Sequence, residues 1–550
     1  MRRGVGTSLL RPLPLFAGLK PCATGDGVRK MSIRRTWPVL ALVFVLSLPA
    51  VTARIYASDE IEYFAFLRSL WFDHDLSFDD EYRHFYESGV AHTELFRQTF
   101  LELTTATGHR ENFGTIGCAI LWTPFYAAAD LGVRLAGGFG SPAAADGYSR
   151  PYVAAVAFGS AVYAFLALLL SLAAARRLFP GPMTPADRLV PVLAVWFGTP
   201  LAFYMYVAPP MPHAASAFAV ATFIFVWLRV RDRWSPGGLT VLGALAALVA
   251  MVREQDAFFA LGPALDLAWT VVRRARESAR GERMAGRPLQ LVAGVALGAL
   301  AFAVVFLPQA IAYLVLNGRL GPSRLVTRKM TWTAPHAFQV LASPEHGYFF
   351  WTPLAVVAIA GLVLEAVRQQ PDTEERVRRK AGAGRAPAAS TRTAAKAVAQ
   401  PGADRGDCMA AETKPVGGVA TAALDRSWLA VCLLATVVAQ AYLAGSVESW
   451  TVAGAFGQRR FVALTIVLVL GLTALSKAVR SRGRWALSAV IAFCVWWNLG
   501  LMLQFGSGLM DRQRLELGAN AYNNLVVIPR ELPRLAYRYL FDRSSFYDPR

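Results

Sequence analysis

Directly after the first long apolar run of the chain comes Ser58-Asp59-Glu60-Ile61-Glu62-Tyr63, with carboxylates at 59, 60 and 62 beside apolar neighbours. A carboxylate held at such a boundary can accept a proton from a hydroxyl, and an apolar wall raises its basicity. The plainer reading is that an acid there caps a helix at the membrane surface. Far along the chain, Ser449-Trp450 is followed by Gly454-Ala455-Phe456-Gly457-Gln458-Arg459-Arg460, which enters another apolar run. Two arginines in that place can snorkel to an interface. They can also form a guanidinium fork for a phosphate, with Gly454 and Gly457 leaving room for close approach. Arg253-Glu254-Gln255-Asp256 is either a hairpin turn or a polar site at membrane depth, where four such residues need partners. His213, after Pro209-Pro210-Met211-Pro212, sits at a tight turn where a lone histidine is more often structural than catalytic.

The elements that must position these residues are helices in a membrane. Of the 550 residues, 55% are hydrophobic and only 17% charged, whereas a soluble domain carries about a quarter charged residues. Mean hydropathy is +0.38. The apolar residues fall in blocks, near 37–53, 151–175, 189–208, 213–228, 237–252, 257–272, 289–316, 349–367, 428–446, 461–476 and 485–503. Most approach the ~20 residues needed to cross a hydrocarbon core. The expected fold is an all-α polytopic membrane protein with about eleven spans. Segment 114–130, short and containing Gly114, Gly117 and Pro124, is expected to be only half inserted. The first loop, 55–113, holds twelve acids against four bases and is expected to form amphipathic helices lying on the outer interface.

The net charge of +19 sits in particular loops, so topology accounts for it and no nucleic-acid partner is implied. If 114–130 does not cross, the cytoplasmic loops carry 27 Lys and Arg and the outer loops 13. A full crossing would invert every later loop. The expected organisation is a basic cytoplasmic N-terminus at 1–35, a membrane core over 36–367, a disordered cytoplasmic linker at 368–427, further spans over 428–503, and an outer tail at 504–550. Residues 1–30 would be untranslated if Met31 is the start, and 37–53 reads as an uncleaved first span. All seven histidines then lie in or beside outer loops, which points to a working non-cytoplasmic face. Five cysteines without paired spacing indicate no disulfide framework, and the scattered acids and histidines show no metal-ligand spacing. No metal or other cofactor is indicated.

These residues resemble the GT-C superfamily of integral-membrane glycosyltransferases, which includes protein O-mannosyltransferases and the bacterial enzymes that add aminoarabinose to lipid A. The superfamily has an acidic motif right after the first span, and Asp59-Glu60 matches it in place and type. Further similar segments are Gly117 with Pro124-Phe125-Tyr126, His213-Ala214-Ala215-Ser216, Ser343 to Pro353 with His346, and Trp450 to Arg459. The tail adds Asn523-Asn524 and Val527-Ile528-Pro529-Arg530, so the likeness runs from about Ala57 to Tyr547.

The resemblance implies transfer of a sugar from a polyprenyl-phosphate donor to a lipid, glycan or protein acceptor on the non-cytoplasmic face of the inner or plasma membrane. Asp59 would be the base or would orient the acceptor, with Glu60 supporting it, and Arg459 or Arg460 would bind the donor phosphate. Glu62, Tyr63, His213, Arg253, Asp256, His346 and Trp450 are further residues expected to face a substrate. Two other functions fit a polytopic chain: a lipid or solute transporter or flippase, and a non-catalytic scaffold. Against a transporter, the spans carry few charges and show no inverted repeat.

Overall fold

A peptide group in a bilayer has no water to bond, so apolar runs of this length fold as helices that satisfy their own backbone. The computed structural model describes residues 36–139, 143–180, 183–279, 288–368, 417–479 and 481–547. The N-terminal segment 1–35 and most of the expected linker lie outside these residues. The principal helices are α1 Thr36–Ser47, α2 Ser58–Arg68, α3 Asp79–Glu87, α4 Gly117–Gly137, α5 Arg150–Leu178, α6 Pro185–Gly198, α7 Leu201–Tyr206 and α8 His213–Val230. They continue as α9 Pro236–Val252, α10 Leu261–Ala279, α11 Pro288–Asn317, α12 Leu354–Ala366, α13 Gly417–Ser446, α14 Thr465–Ala478, α15 Arg484–Ser507 and α16 Ile528–Phe541. Helix α13 thus begins within the stretch read as linker. Among the described residues, six helical segments are long and apolar enough to cross a membrane: α5, α8, Leu289–Asn317, Asp425–Ser446, Arg459–Ala478 and α15. Thr36–Ala50, α9 and α12 are shorter apolar helices. The chain is a multi-pass membrane protein.

Close packing replaces hydrophobic collapse between such helices. Helices α9 and α11 meet at Gly243, where a Cβ would stand 1.9 Å from the Gly298 carbonyl oxygen. Helices α12 and α14 meet in the same way at Gly361, 2.0 Å from the Gly471 oxygen. The apolar block 189–208 is broken, because Pro200 has no N–H to donate and Thr199 is extended. The carbonyls freed there, of Phe197 and Thr199, accept from Nδ2 of buried Asn498 on α15 at 2.9 and 3.0 Å.

Basic loops converge on one end of the bundle. Arg177 pairs with Asp232, Arg231 with Asp266 at 2.8 Å, Arg273 with Asp425, and Arg426 with Glu365. Helix α8 runs from His213 to this end, and α9 returns from it to Arg253. Helix α4 lies along only the first part of α5: Asp130 accepts from Tyr152, Trp122 donates to Ser160, and Tyr163 donates to the Leu121 carbonyl.

Within the first loop, α3 buries Tyr82 and Phe85 and exposes Asp80 and Arg83, while α2 departs from the expected surface helices. Helix α2 buries Ile61, Phe64, Ala65, Phe66 and Leu67, and its aromatic rings stack edge-on with Phe78, Phe85 and Tyr126. Four apolar residues in a row after Tyr63 cannot present one polar face, so α2 is enclosed by α3 and α4. The tail does carry an amphipathic helix. Helix α16 buries Ile528 and Leu535 and exposes Arg530 and Arg534, with Tyr537 and Phe541 exposed as well.

Candidate active site

Helix α2 starts after an extended stretch and has no capping side chain at Ala57. Glu60 supplies the cap from within, its Oε2 accepting from the backbone N–H of Tyr56 at 2.8 Å and Ala57 at 3.2 Å. Burial pushes its carboxyl up to about 8 despite those two donors. The plain capping role therefore belongs to Glu60, and Asp59 is turned outward with its side chain 41% exposed. Glu62 is buried behind α2, where Phe113 N–H donates to its Oε2 at 2.6 Å and Asn112 donates to its carbonyl. Burial, and then the Asp59 charge, hold Glu62 at about 8 as well.

Asp59 Oδ2 meets Arg459 Nη1 at 2.7 Å. The segment bearing Arg459 is fixed by Gln458, whose Nε2 donates to the carbonyls of His346 and Trp450 at 2.7 and 3.0 Å. Gly454 and Gly457 have φ of +82° and +61°, conformations that favour glycine. Gly457 does not make room for a ligand as expected, since a Cβ there would press on Pro200 at 2.9 Å. The use of both glycines is to turn the chain so that Arg459 faces α2. Arg460 donates to the Ser449 carbonyl and hydroxyl at 3.0 and 3.2 Å.

The pair opens into a cavity of about 510 Å³ that is also lined by Tyr63, His213, Arg253, Glu254, Lys329 and Arg460. His213 begins α8 and stacks edge-on against Tyr204, with its Nδ1 buried and unpartnered among the described residues. Arg253 ends α9, and its Nη1 is likewise buried without a partner. Four cationic side chains, Arg253, Lys329, Arg459 and Arg460, thus face two acids, Asp59 and Glu254. Tyr313 donates to Glu254, which occupies one of those acids. The arrangement suits an anion with more than one negative oxygen. Among the described residues, no three His, Cys, Asp or Glu side chains group as metal ligands.

Of the residues expected from sequence, Asp59, Tyr63, His213, Arg253, Arg459 and Arg460 come together here. Glu60 and Glu62 brace α2 from behind. Asp256 is buried under Arg253 and accepts from Ser216 at 2.5 Å. His346 and Trp450 form a supporting layer, with the Trp450 ring between His336 and His346. Burial first of all lowers the His346 pKa. The cavity's Lys329 lies in no sequence pattern. It arrives because Met330 bridges Val447, with Thr331 N–H donating to Ser446 and Glu448 N–H to Lys329. Glu254 belongs to a motif that sequence did single out, without being chosen within it.

No family model and no curated protein matches the chain. Among solved structures, it is similar to ArnT from Cupriavidus metallidurans bound to undecaprenyl phosphate, with 12% identity and a TM-score of 0.43, covering 95% of this chain and 76% of that one.

Proposed function

We propose that the chain transfers a sugar from a polyprenyl-phosphate donor to an acceptor hydroxyl in the cavity between α2 and the Arg459 segment. The observation that carries this reading is the ion pair of Asp59 with Arg459, at 2.7 Å, in a cavity that also holds Arg253, Lys329 and Arg460. Phe258 is shared with a second, apolar hollow of about 910 Å³ between α10 and α13, lined by Ala257, Leu261, Ala435, Val438 and Tyr442. A lipid-linked donor fits that continuity, with its phosphate among the cations and its prenyl chain along the apolar wall.

In this reaction Asp59 accepts the proton of the acceptor hydroxyl as its oxygen bonds to the anomeric carbon. The bond from that carbon to the phosphate oxygen breaks, and the phosphate leaves with the electron pair. A single in-line displacement inverts the anomeric configuration. Arg459 lies against Asp59 as its counter-charge and holds the carboxylate at the cavity wall. Arg459, Arg460, Arg253 and Lys329 stabilise the charge that grows on the phosphate.

We place the cavity on the non-cytoplasmic face, because the basic loops gather at the opposite end of the bundle. About eleven crossings follow if α1, α9, α10, α12 and the broken α6–α7 pair cross with the six longer helices. The limited reach of α4 along α5 supports a half-inserted segment. The test is incubation of membranes containing the chain with a radiolabelled polyprenyl-phosphate sugar. Label passing to an acceptor is expected. Carrier moved across the bilayer with the sugar still attached would overturn the reading.

A further inference from the structure

A second basic site lies at the same end of the bundle, outside the cavity. The chain leaving α1, the first turns of α5 and the end of α16 enclose a crevice of about 600 Å³. Thr52 N–H donates to the Tyr206 carbonyl at its inner edge, which fixes its depth near the cavity. Three arginines, Arg54, Arg150 and Arg543, line the crevice, and among the described residues no carboxylate does. Arg543 is held there, donating to the carbonyls of Val51 at 2.8 Å and Pro49 at 2.7 Å. Arg150 is exposed and opens the 29-residue helix α5, adding the positive end of a helix dipole. Arg54 is exposed on the extended segment before α2.

The surroundings are apolar and turned outward. Phe541 is 75% exposed at the rim, and Leu46 on α1 is 71% exposed beside the crevice, with Leu42, Val45 and Phe158 also exposed. Positive charge at the membrane-surface end of two apolar helices is complementary to one kind of molecule, a lipid with a negative head and no cationic group of its own. We propose that this crevice seats the phosphate of an anionic phospholipid, whose acyl chains lie against α1 and α5. The bound lipid ties the tail helix α16 to the end of α1. A zwitterionic lipid brings an ammonium group that three arginines repel. Free phosphate leaves the exposed apolar faces uncovered, so the lipid is the expected occupant.

The full chain, purified in a non-ionic detergent, is exposed to equal amounts of phosphatidylglycerol and phosphatidylcholine and examined by native mass spectrometry. Several-fold preferential retention of phosphatidylglycerol is expected, with a rise in Tm that millimolar inorganic phosphate does not reproduce. The double substitution Arg54→Gln with Arg150→Gln, which leaves the backbone contacts of Arg543 intact, should abolish the preference. If that protein fails to fold, Arg150→Glu alone should do so, since Arg150 is exposed at a helix start. Equal retention of the two lipids, equal protection by inorganic phosphate, or an undiminished preference in the folded variants would overturn the proposal.

Discussion

The Arg459 guanidinium stands 2.7 Å from the Asp59 carboxylate, joining the first turn of α2 to the segment that leads into α14. The pair places a proton acceptor and a phosphate-binding cation side by side, so the two arginines of the motif are expected to differ when removed. Arg459→Ala takes away both a donor contact and the counter-charge of the base, and should lower kcat as well as raise KM. Arg460→Ala, where the guanidinium otherwise rests on Ser449, should mainly raise KM. A charge-assisted contact to phosphate contributes about 1.5–3 kcal/mol, roughly 10- to 100-fold in binding, and Arg459→Lys should restore part of it. Carrier binding measured by titration would refute the donor assignment if both alanine variants bound like the parent.

The buried acids behind α2 make the stability of the fold pH-dependent. Glu60 and Glu62 are raised from 4.5 to about 8, so the folded chain holds protons that the unfolded chain has released. The contribution of each is fully present below about pH 4.5 and is lost as pH rises through about 8. Glu60→Gln and Glu62→Gln keep the acceptor oxygen and remove the titration. Thermal unfolding in detergent should show the Tm of the parent falling between pH 6 and 9, and that of the double variant falling less. Parallel slopes would contradict the placement of these acids.

The broken block at Pro200 makes a separate demand. Asn498→Leu keeps the bulk but withdraws the donors to the Phe197 and Thr199 carbonyls. Thr199 keeps a 3.4 Å contact from Ala202 N–H, but the buried Phe197 carbonyl left unpaired costs about 1–3 kcal/mol, so a clear drop in Tm is expected. An unchanged Tm would mean that the α6–α7 break is satisfied in another way.

The six long apolar helices of the described residues were legible because a bilayer dictates both the length of a crossing and its internal hydrogen bonding. The two halves of the site were legible as motifs, but their contact was not, since about 400 residues separate Asp59 from Arg459. The division of labour between Asp59 and Glu60 depended on which carboxylate reached back to Tyr56 and Ala57, a matter of one step along the first helical turn. Lys329 was invisible because an isolated bridge, with no strand periodicity, carries it to the cavity. His346 and Trp450 carried a family resemblance and turned out to stand behind Gln458. Motif likeness marked the neighbourhood without separating the lining from its support.

Orientation can be tested without activity. In a chain freed of its own cysteines, a membrane-impermeant thiol reagent applied from outside should label Ser544→Cys and leave Ser390→Cys unlabelled. The reverse pattern would mean that the whole bundle is inserted in the opposite sense, because the Asp59–Arg459 contact keeps the loops before and after α4 on one side, and the cavity would then face the cytoplasm.

If Asp59 is the base of the proposed sugar transfer, Asp59→Asn removes the proton acceptor from the reaction. The amide keeps the shape of the side chain and a contact to Arg459 but cannot take the acceptor proton. The rate of transfer from a radiolabelled polyprenyl-phosphate sugar should fall by about 10²–10⁴, the usual cost of losing a general base, while carrier binding and Tm stay near those of the parent. Transfer at the parental rate in the Asp59→Asn chain would show that Asp59 is not the base.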